Sequence, residues 1–266
     1  TRRSSDLIGA QTVFKNEEVE VSLLKEKTWV FSTWDYTTMY LIEGEDKAVL
    51  IDTGTRCADL DKIVGQITGK PLEVIVTHMH PDHAGCIKYF DKVWMHRADT
   101  VLVPQHAADY QGEFLYMEEG QVFDLGGRKL EVAWMPGHTP GSVVLLDKAN
   151  GDCYSGDAFG SGEVWLQCVP MSPIATFHES CCRMEKLMKE GHIKDIWCGH
   201  YPYLKSSLPL AYIQTMIRIS HRLMNGDQEG SEPYSNYFIK MPPTARKLAE
   251  GRAMIVYDST NIPEAR

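Results

Sequence analysis

The segment Thr77-His78-Met79-His80-Pro81-Asp82-His83 places four metal-competent side chains within six positions, just after an apolar run at Leu72–Val76. Neutral imidazole and carboxylate are the ligands zinc favours after thiolate. Two histidines two apart on an extended segment can converge on one ion, and the Asp82-His83 pair that follows can turn toward a neighbour. Four such groups in one tight turn would desolvate or repel one another unless an ion or several hydrogen bonds compensated. Divalent-metal binding is the chemistry this pattern points to.

Side chains of this kind need rigid elements to aim them, and the surrounding pattern supplies alternating strands and helices. Val19–Leu24 and Thr28–Phe31 are β-prone runs, and Met39–Glu43 with Ala48–Ile51 predict a hairpin across Gly44-Glu45-Asp46. Leu60, Ile63, Val64 and Ile67 recur at helical spacing between Ala58 and Thr68, and Gly69 with Pro71 stops that helix. Strands are expected at Leu72–Val76, Val93–His96, Leu130–Trp134, Val143–Asp147, Cys153–Ser155, Ile193–Cys198 and Met254–Tyr257. Helices are expected from about Thr176 to Glu190 and from Leu208 to Met224. Each chemically interesting residue falls just after the end of an expected strand, where layered α/β proteins build their sites.

Composition narrows the function classes. The 266 residues carry 27 basic and 36 acidic side chains, a formal charge of −9, which argues against gripping nucleic acid by its phosphates. Apolar residues make up 43% of the chain, enough for a sizeable core, and no run reaches the roughly 18 to 20 apolar residues of a membrane helix. The seven cysteines lack C-x-x-C pairing and read as free thiols. Because the chain opens on Thr1, a missing signal peptide carries no information, and cytoplasmic, periplasmic and secreted placements stay open.

With these residues in place, the chain resembles the metallo-β-lactamase fold superfamily, which includes glyoxalase II and the lactonases. Five elements carry the resemblance in order: Asp52-Thr53-Gly54, the H-x-H-x-D-H segment at 78–83, Gly137-His138 within Pro136–Ser142, Ser155-Gly156-Asp157, and Gly199-His200. The resemblance implies a four-layer αββα sandwich of two mixed sheets with outer helices. It implies one domain over residues 1–266, with a helix and strand extension after about residue 205. It assigns His78, His80 and His138 to one ion, Asp82, His83 and His200 to a second, and Asp157 as the bridge. Asp52 would stand behind the ligands and orient one of them.

The implied activity is hydrolysis of a small ester, thioester or lactone by hydroxide held between two divalent ions, zinc first and iron or manganese as alternatives. Asp82 would orient that hydroxide or pass its proton to the leaving group. Asp157 in the bridging position resembles the glyoxalase II and lactonase branch rather than the β-lactamases proper. Competing readings are a mononuclear iron enzyme like the persulfide dioxygenases, a phosphodiesterase or β-lactam hydrolase of the same fold, and a metal-binding protein without catalysis. The expected partner is a small molecule, with neither nucleic acid nor membrane, and oligomeric state is left open. Trp34, Tyr36, Phe159, Trp165 and His178 are the candidates for lining the substrate pocket, although aromatics are more often core and His178 reads first as a surface residue at a helix start. His96, His106, His192 and His221 match no ligand position.

Overall fold

A computed structural model describes residues 11–236 and 240–263; the two ends of the expected 1–266 domain lie partly outside them. The first half of the chain builds an eight-stranded sheet in sequence order: β1 Thr12–Lys15, β2 Val19–Lys25, β3 Thr28–Thr33, β4 Thr38–Glu43, β5 Ala48–Ile51, β6 Leu72–Ile75, β7 Lys92–His96 and β8 Glu113–Met117. Strands β1 to β5 pair antiparallel, and β5 to β8 pair parallel. Three helices interrupt or flank its parallel half: α1 Leu60–Ile67, α2 Pro81–Ala84 and α3 Val103–His106.

A second sheet combines β9 Val122–Asp124, β10 Lys129–Trp134, β11 Val143–Asp147 and β12 Asp152–Gly156. Its edge is completed by the parallel strand β14, Asp195–Cys198. The later helices are α4 Ile174–Lys189, α5 Tyr201–Leu204 and α6 Leu210–Met224.

The layering can be read from strands buried on both faces. In β4, Tyr40 and Ile42 face the second sheet, while Met39 and Leu41 join the cluster that holds Leu60, Ile63 and Val64 of α1. In β11, Val143 and Leu145 face the first sheet, and Val144 and Leu146 pack toward α4 and α6. Period-two alternation sends successive side chains to opposite faces, so a strand with helices outside and a sheet inside must be apolar throughout. Tyr40 and Tyr154 meet across the inner layer at 5.1 Å, and the Tyr40 hydroxyl donates to the Cys198 carbonyl at 2.7 Å.

The two expected mixed sheets are accompanied by a further one. A third, four-stranded sheet joins β13 Glu163–Trp165 in parallel to β17 Ala253–Asp258, followed by β16 Ala245–Glu250 and β15 Glu232–Pro233. Strands of two and three residues are too short to show periodicity, and their pairing joins segments remote in sequence. Leu248, Ile255 and Tyr257 of this sheet share the outer cluster with Ile213 and Met216 of α6. The segment after residue 205 is thus packed against the sandwich and paired to a strand close to the histidines. All seven cysteines are free. No helix among the described residues is long and apolar enough to cross a membrane.

Candidate metal centre

The loops that leave the ends of the strands converge, and they divide the implied ligands into two groups. His78, His80 and His138 form one, and Asp82, His83, Asp157 and His200 the other; within each, the donor atoms lie within 4.8 Å of one another. His78 and His80 follow β6 in the turn entering α2, on which Asp82 and His83 sit. His138 lies between β10 and β11, Asp157 directly follows β12, and His200 comes two residues after β14. One carboxylate oxygen of Asp157 faces both groups: its Oδ2 is 3.9 Å from His138 Nε2, 3.6 Å from His83 Nε2 and 3.3 Å from His200 Nε2. Asp82 Oδ2 stands 3.5 Å from the Nε2 atoms of both His83 and His200, at the more exposed rim.

Hydrogen bonds behind the rings decide which nitrogen each presents. The Thr77 hydroxyl donates to Asp52 Oδ2 at 2.9 Å, so its oxygen accepts from His78 Nδ1 at 3.1 Å and leaves His78 Nε2 facing inward. His138 Nδ1 donates to the Trp165 carbonyl at 2.7 Å, which turns its Nε2 inward as well. His83 Nδ1 donates to Asp52 Oδ2 at 2.8 Å. Asp52 also accepts the Thr77 backbone N–H at 2.7 Å, and it holds φ 64°, a backbone region a non-glycine residue occupies only under constraint. Asp52 thus accepts from the Thr77 backbone N–H, the Thr77 hydroxyl and the His83 ring together.

The donor set fits a cation. His78 Nε2 and His83 Nε2 face the donor groups and are buried without a hydrogen-bond partner among the described residues, a costly arrangement unless something positive sits beside them. His80 Nδ1 and His138 Nε2 lie 2.9 Å apart, and only a shared proton or ion makes two ring nitrogens so close favourable. Electrostatics separates the groups. Burial, reinforced by the neighbouring imidazoles, holds His78 well below its usual pKa and brings His80 down to about 3. At His83 and His200 burial also opposes the charged ring, yet the carboxylates outweigh it. Asp82, Asp157 and Asp52 raise His83 well above its usual value, and Asp157 and Asp82 bring His200 to about 10. Burial disfavours the charged Asp157 carboxylate too, but His200 and His83 hold it well below the usual range.

Close packing explains the glycines flanking the donors. A Cβ on Gly199 would sit 2.4 Å from Asp157 Oδ1 and 2.6 Å from the His83 ring; one on Gly156, at φ 48°, would meet Thr77 Oγ1 at 2.1 Å.

One organising residue has no sequence signature. Asp99, buried in the turn after β7, accepts from the Met79 backbone N–H at 3.0 Å, the Thr139 hydroxyl at 2.9 Å and the Gly141 backbone N–H at 2.6 Å. It ties the turn of His78 and His80 to the turn of His138. Burial raises its pKa, and those three donors offset part of the rise.

The comparisons with known proteins agree with this geometry. The family model for the metallo-beta-lactamase superfamily matches residues 32–173, more than half of the chain. The chain belongs to the metallo-beta-lactamase superfamily. Among relatives, it is 25% identical over 210 residues to the acyl-coenzyme A thioesterase MBLAC2 of Homo sapiens, covering 64% of this chain and 75% of that one. It is 27% identical over 179 residues to a hydroxyacylglutathione hydrolase of Aeromonas salmonicida, covering 65% and 64% respectively. A metallo-beta-lactamase from Pontibacter korlensis shares the fold with a TM-score of 0.61 at 17% identity, over 77% of this chain and 99% of that one. TTHA1623, solved in a di-iron-bound form, matches with a TM-score of 0.53 at 27% identity, over 66% of this chain and 90% of that one.

Within this superfamily site, the expected pocket residues separate. Trp34 and Tyr36 are half-exposed in the loop between β3 and β4; Arg56 lies over Trp34, and Tyr36 packs on Tyr203, whose ring is 6.0 Å from His200. Trp165 contributes its carbonyl to His138 while its ring packs on Tyr234. Phe159 is fully buried in the outer core, where the α4 and α6 side chains cover it, so it lines no cleft. His178 turns toward α6 instead of the donors: its Nδ1 lies 2.9 Å from Ser220 Oγ and its ring 6.0 Å from that of His221.

Proposed function

We propose that the chain is a metal-dependent hydrolase with two divalent ions, zinc first, acting on small thioesters, esters or lactones, and that thioesters are the class to test first. The observation that carries this reading is the pair of donor groups joined by Asp157 Oδ2, with the Nε2 atoms of His78 and His83 turned inward and unpartnered. His78, His80 and His138 would hold one ion, and Asp82, His83 and His200 the other, with Asp157 between. When bound, two such ions supply a water of lowered pKa and a Lewis acid for the scissile carbonyl. A thioesterase and a hydroxyacylglutathione hydrolase among the relatives support the thioester class. TTHA1623 in its di-iron form keeps iron as the alternative metal.

The chain's own residues do the remaining work. Asp52, Thr77 and the Trp165 carbonyl keep the rings of His83, His78 and His138 from rotating, so the donors are preorganised. Asp82 is the most exposed of the donors; burial opposes its charge, yet His83 and His200 hold its carboxyl well below the usual range, so it stays ionised and can accept a hydrogen bond from an attacking water and orient it. The retention of every donor in both groups favours this reading over a mononuclear oxygenase. Elemental analysis of the purified chain should find about two metal equivalents. His78→Ala should lose hydrolysis of a thioester, ester and lactone panel by about a thousandfold or more while keeping its fold. Unchanged turnover in that variant would sink the proposal.

A further inference from the structure

Beside the two donor groups stands a ring that belongs to neither. His106 closes the four-residue helix α3, half-buried, with its ring edge-on to that of His80 at a centroid separation of 5.9 Å. The charge of Asp82 acts on the same ring. Among the described residues no hydrogen bond reaches either His106 nitrogen, and the ring lies outside the donor group of His78, His80 and His138.

The position of this ring is fixed from beneath. Leu102 and Ala107, on either side of it in the chain, are buried in the outer core of the first sheet. The His106 N–H donates to the Leu102 carbonyl at 3.0 Å, and the Ala107 N–H to the Val103 carbonyl at 2.9 Å. Seven residues upstream, Asp99 bonds the same segment to both ligand turns. A polar ring held rigidly at the rim, with free nitrogens and no structural duty of its own, has the character of a ligand contact.

We propose that His106 contacts the substrate, one ring nitrogen hydrogen-bonding a substrate oxygen next to the scissile bond on the side of His78, His80 and His138. This rests on the hydrolytic reading above. Flanking the other donor group, Tyr203 and Tyr36 offer exposed aromatic surface beside His200. The matching substrate carries an amide, hydroxyl or carboxylate oxygen at one flank of the carbonyl and an apolar group at the other.

The test uses S-hexanoyl-N-acetylcysteamine, a thioester with an amide near the sulfur, and the zinc-loaded full chain. His106→Phe keeps the ring and removes both nitrogens; His106→Gln keeps a side-chain donor. KM should rise about tenfold in His106→Phe, with kcat less affected and metal content and melting temperature unchanged, and His106→Gln should recover part of the loss. A kcat/KM within about twofold of the parent, or a parallel loss of bound metal, overturns the proposal. A second readout does not depend on turnover. In the zinc-loaded chain labelled with 15N-histidine, the signal that disappears in His106→Phe should shift on adding the S-hexyl thioether of N-acetylcysteamine, which keeps the amide oxygen and cannot be cleaved. An unmoved signal overturns it. If the parent cleaves no member of the panel, the hydrolase reading fails by itself, and the 15N signal still decides the role of His106.

Discussion

At the scale of single residues, the two donor groups are chemically unequal before any ion arrives. His78 and His80 are held neutral by burial and by one another, so a cation meets free lone pairs there. His83 and His200 sit among Asp52, Asp82 and Asp157 and keep their protons, with His200 titrating at about 10. A cation entering that group must displace protons, so its affinity falls as the pH falls. At the other group, His78 and His80 add no such competition, because burial holds both below the usual histidine range, His80 at about 3. Dialysis against limiting zinc should therefore leave about two equivalents at pH 8 and about one at pH 5. Equal loss of both equivalents over that range would contradict the assignment. The same carboxylates set the pH response of the metal-free chain. A histidine whose pKa is raised on folding stabilises fully below the unfolded value of about 6.5. That contribution disappears as the pH rises through about 10, the value for His200.

Individual elements explain why the donors are steady. α2 begins with Pro81, whose missing N–H costs nothing at a helix start, and the N–H groups of His83 and Ala84 both return to the His80 carbonyl. This one turn puts Asp82 and His83 on the far side of His80, which is how six consecutive positions serve two groups. Thr53 receives the other end of the turn, its N–H and hydroxyl both donating to the His83 carbonyl. Asp99 completes the frame from the segment after β7. Asp99→Ala would strand the buried Met79 and Gly141 N–H groups and leave the Thr139 hydroxyl with Ser142 alone. It should cost about 2–4 kcal/mol of stability, less whatever is regained by removing a buried carboxylate. Bound zinc should fall with it. Urea denaturation of both forms measures the first effect and elemental analysis the second; wild-type values for both would show that Asp99 merely fills space.

For the molecule as a whole, three apolar layers hold these loops together, and the third sheet links the C-terminal segment to the site. β17 pairs with β13, and β13 ends in Trp165, whose carbonyl fixes His138. Ile255 lies fully buried in that sheet, against the α6 cluster. Ile255→Ala should destabilise the chain by about 2–4 kcal/mol, lowering the melting temperature by roughly 6–12 °C. If the measured cost falls below about 1 kcal/mol, the third sheet is not part of the cooperative core.

The donors themselves were legible without coordinates, because metal chemistry restricts residue type and because strand ends followed by glycine, histidine and aspartate leave a local mark. The apolar runs behind them predicted most strands and the three long helices to within two residues at most ends, since burial on two faces or one stripe imposes a period. Three features were decided by tertiary structure alone. Asp99 carries no signal, because a buried acceptor is defined by donors from two other loops. In the third sheet β17 was expected as a strand, but β13 and β15 are too short to leave a period, and the pairing of β13 with β17 joins segments remote in sequence. Phe159 and His178 went to the core and to α6, because side-chain direction depends on how α4 and α6 pack rather than on proximity in sequence to Asp157. Local chemistry and periodicity are properties of a segment; partners are properties of the packed chain.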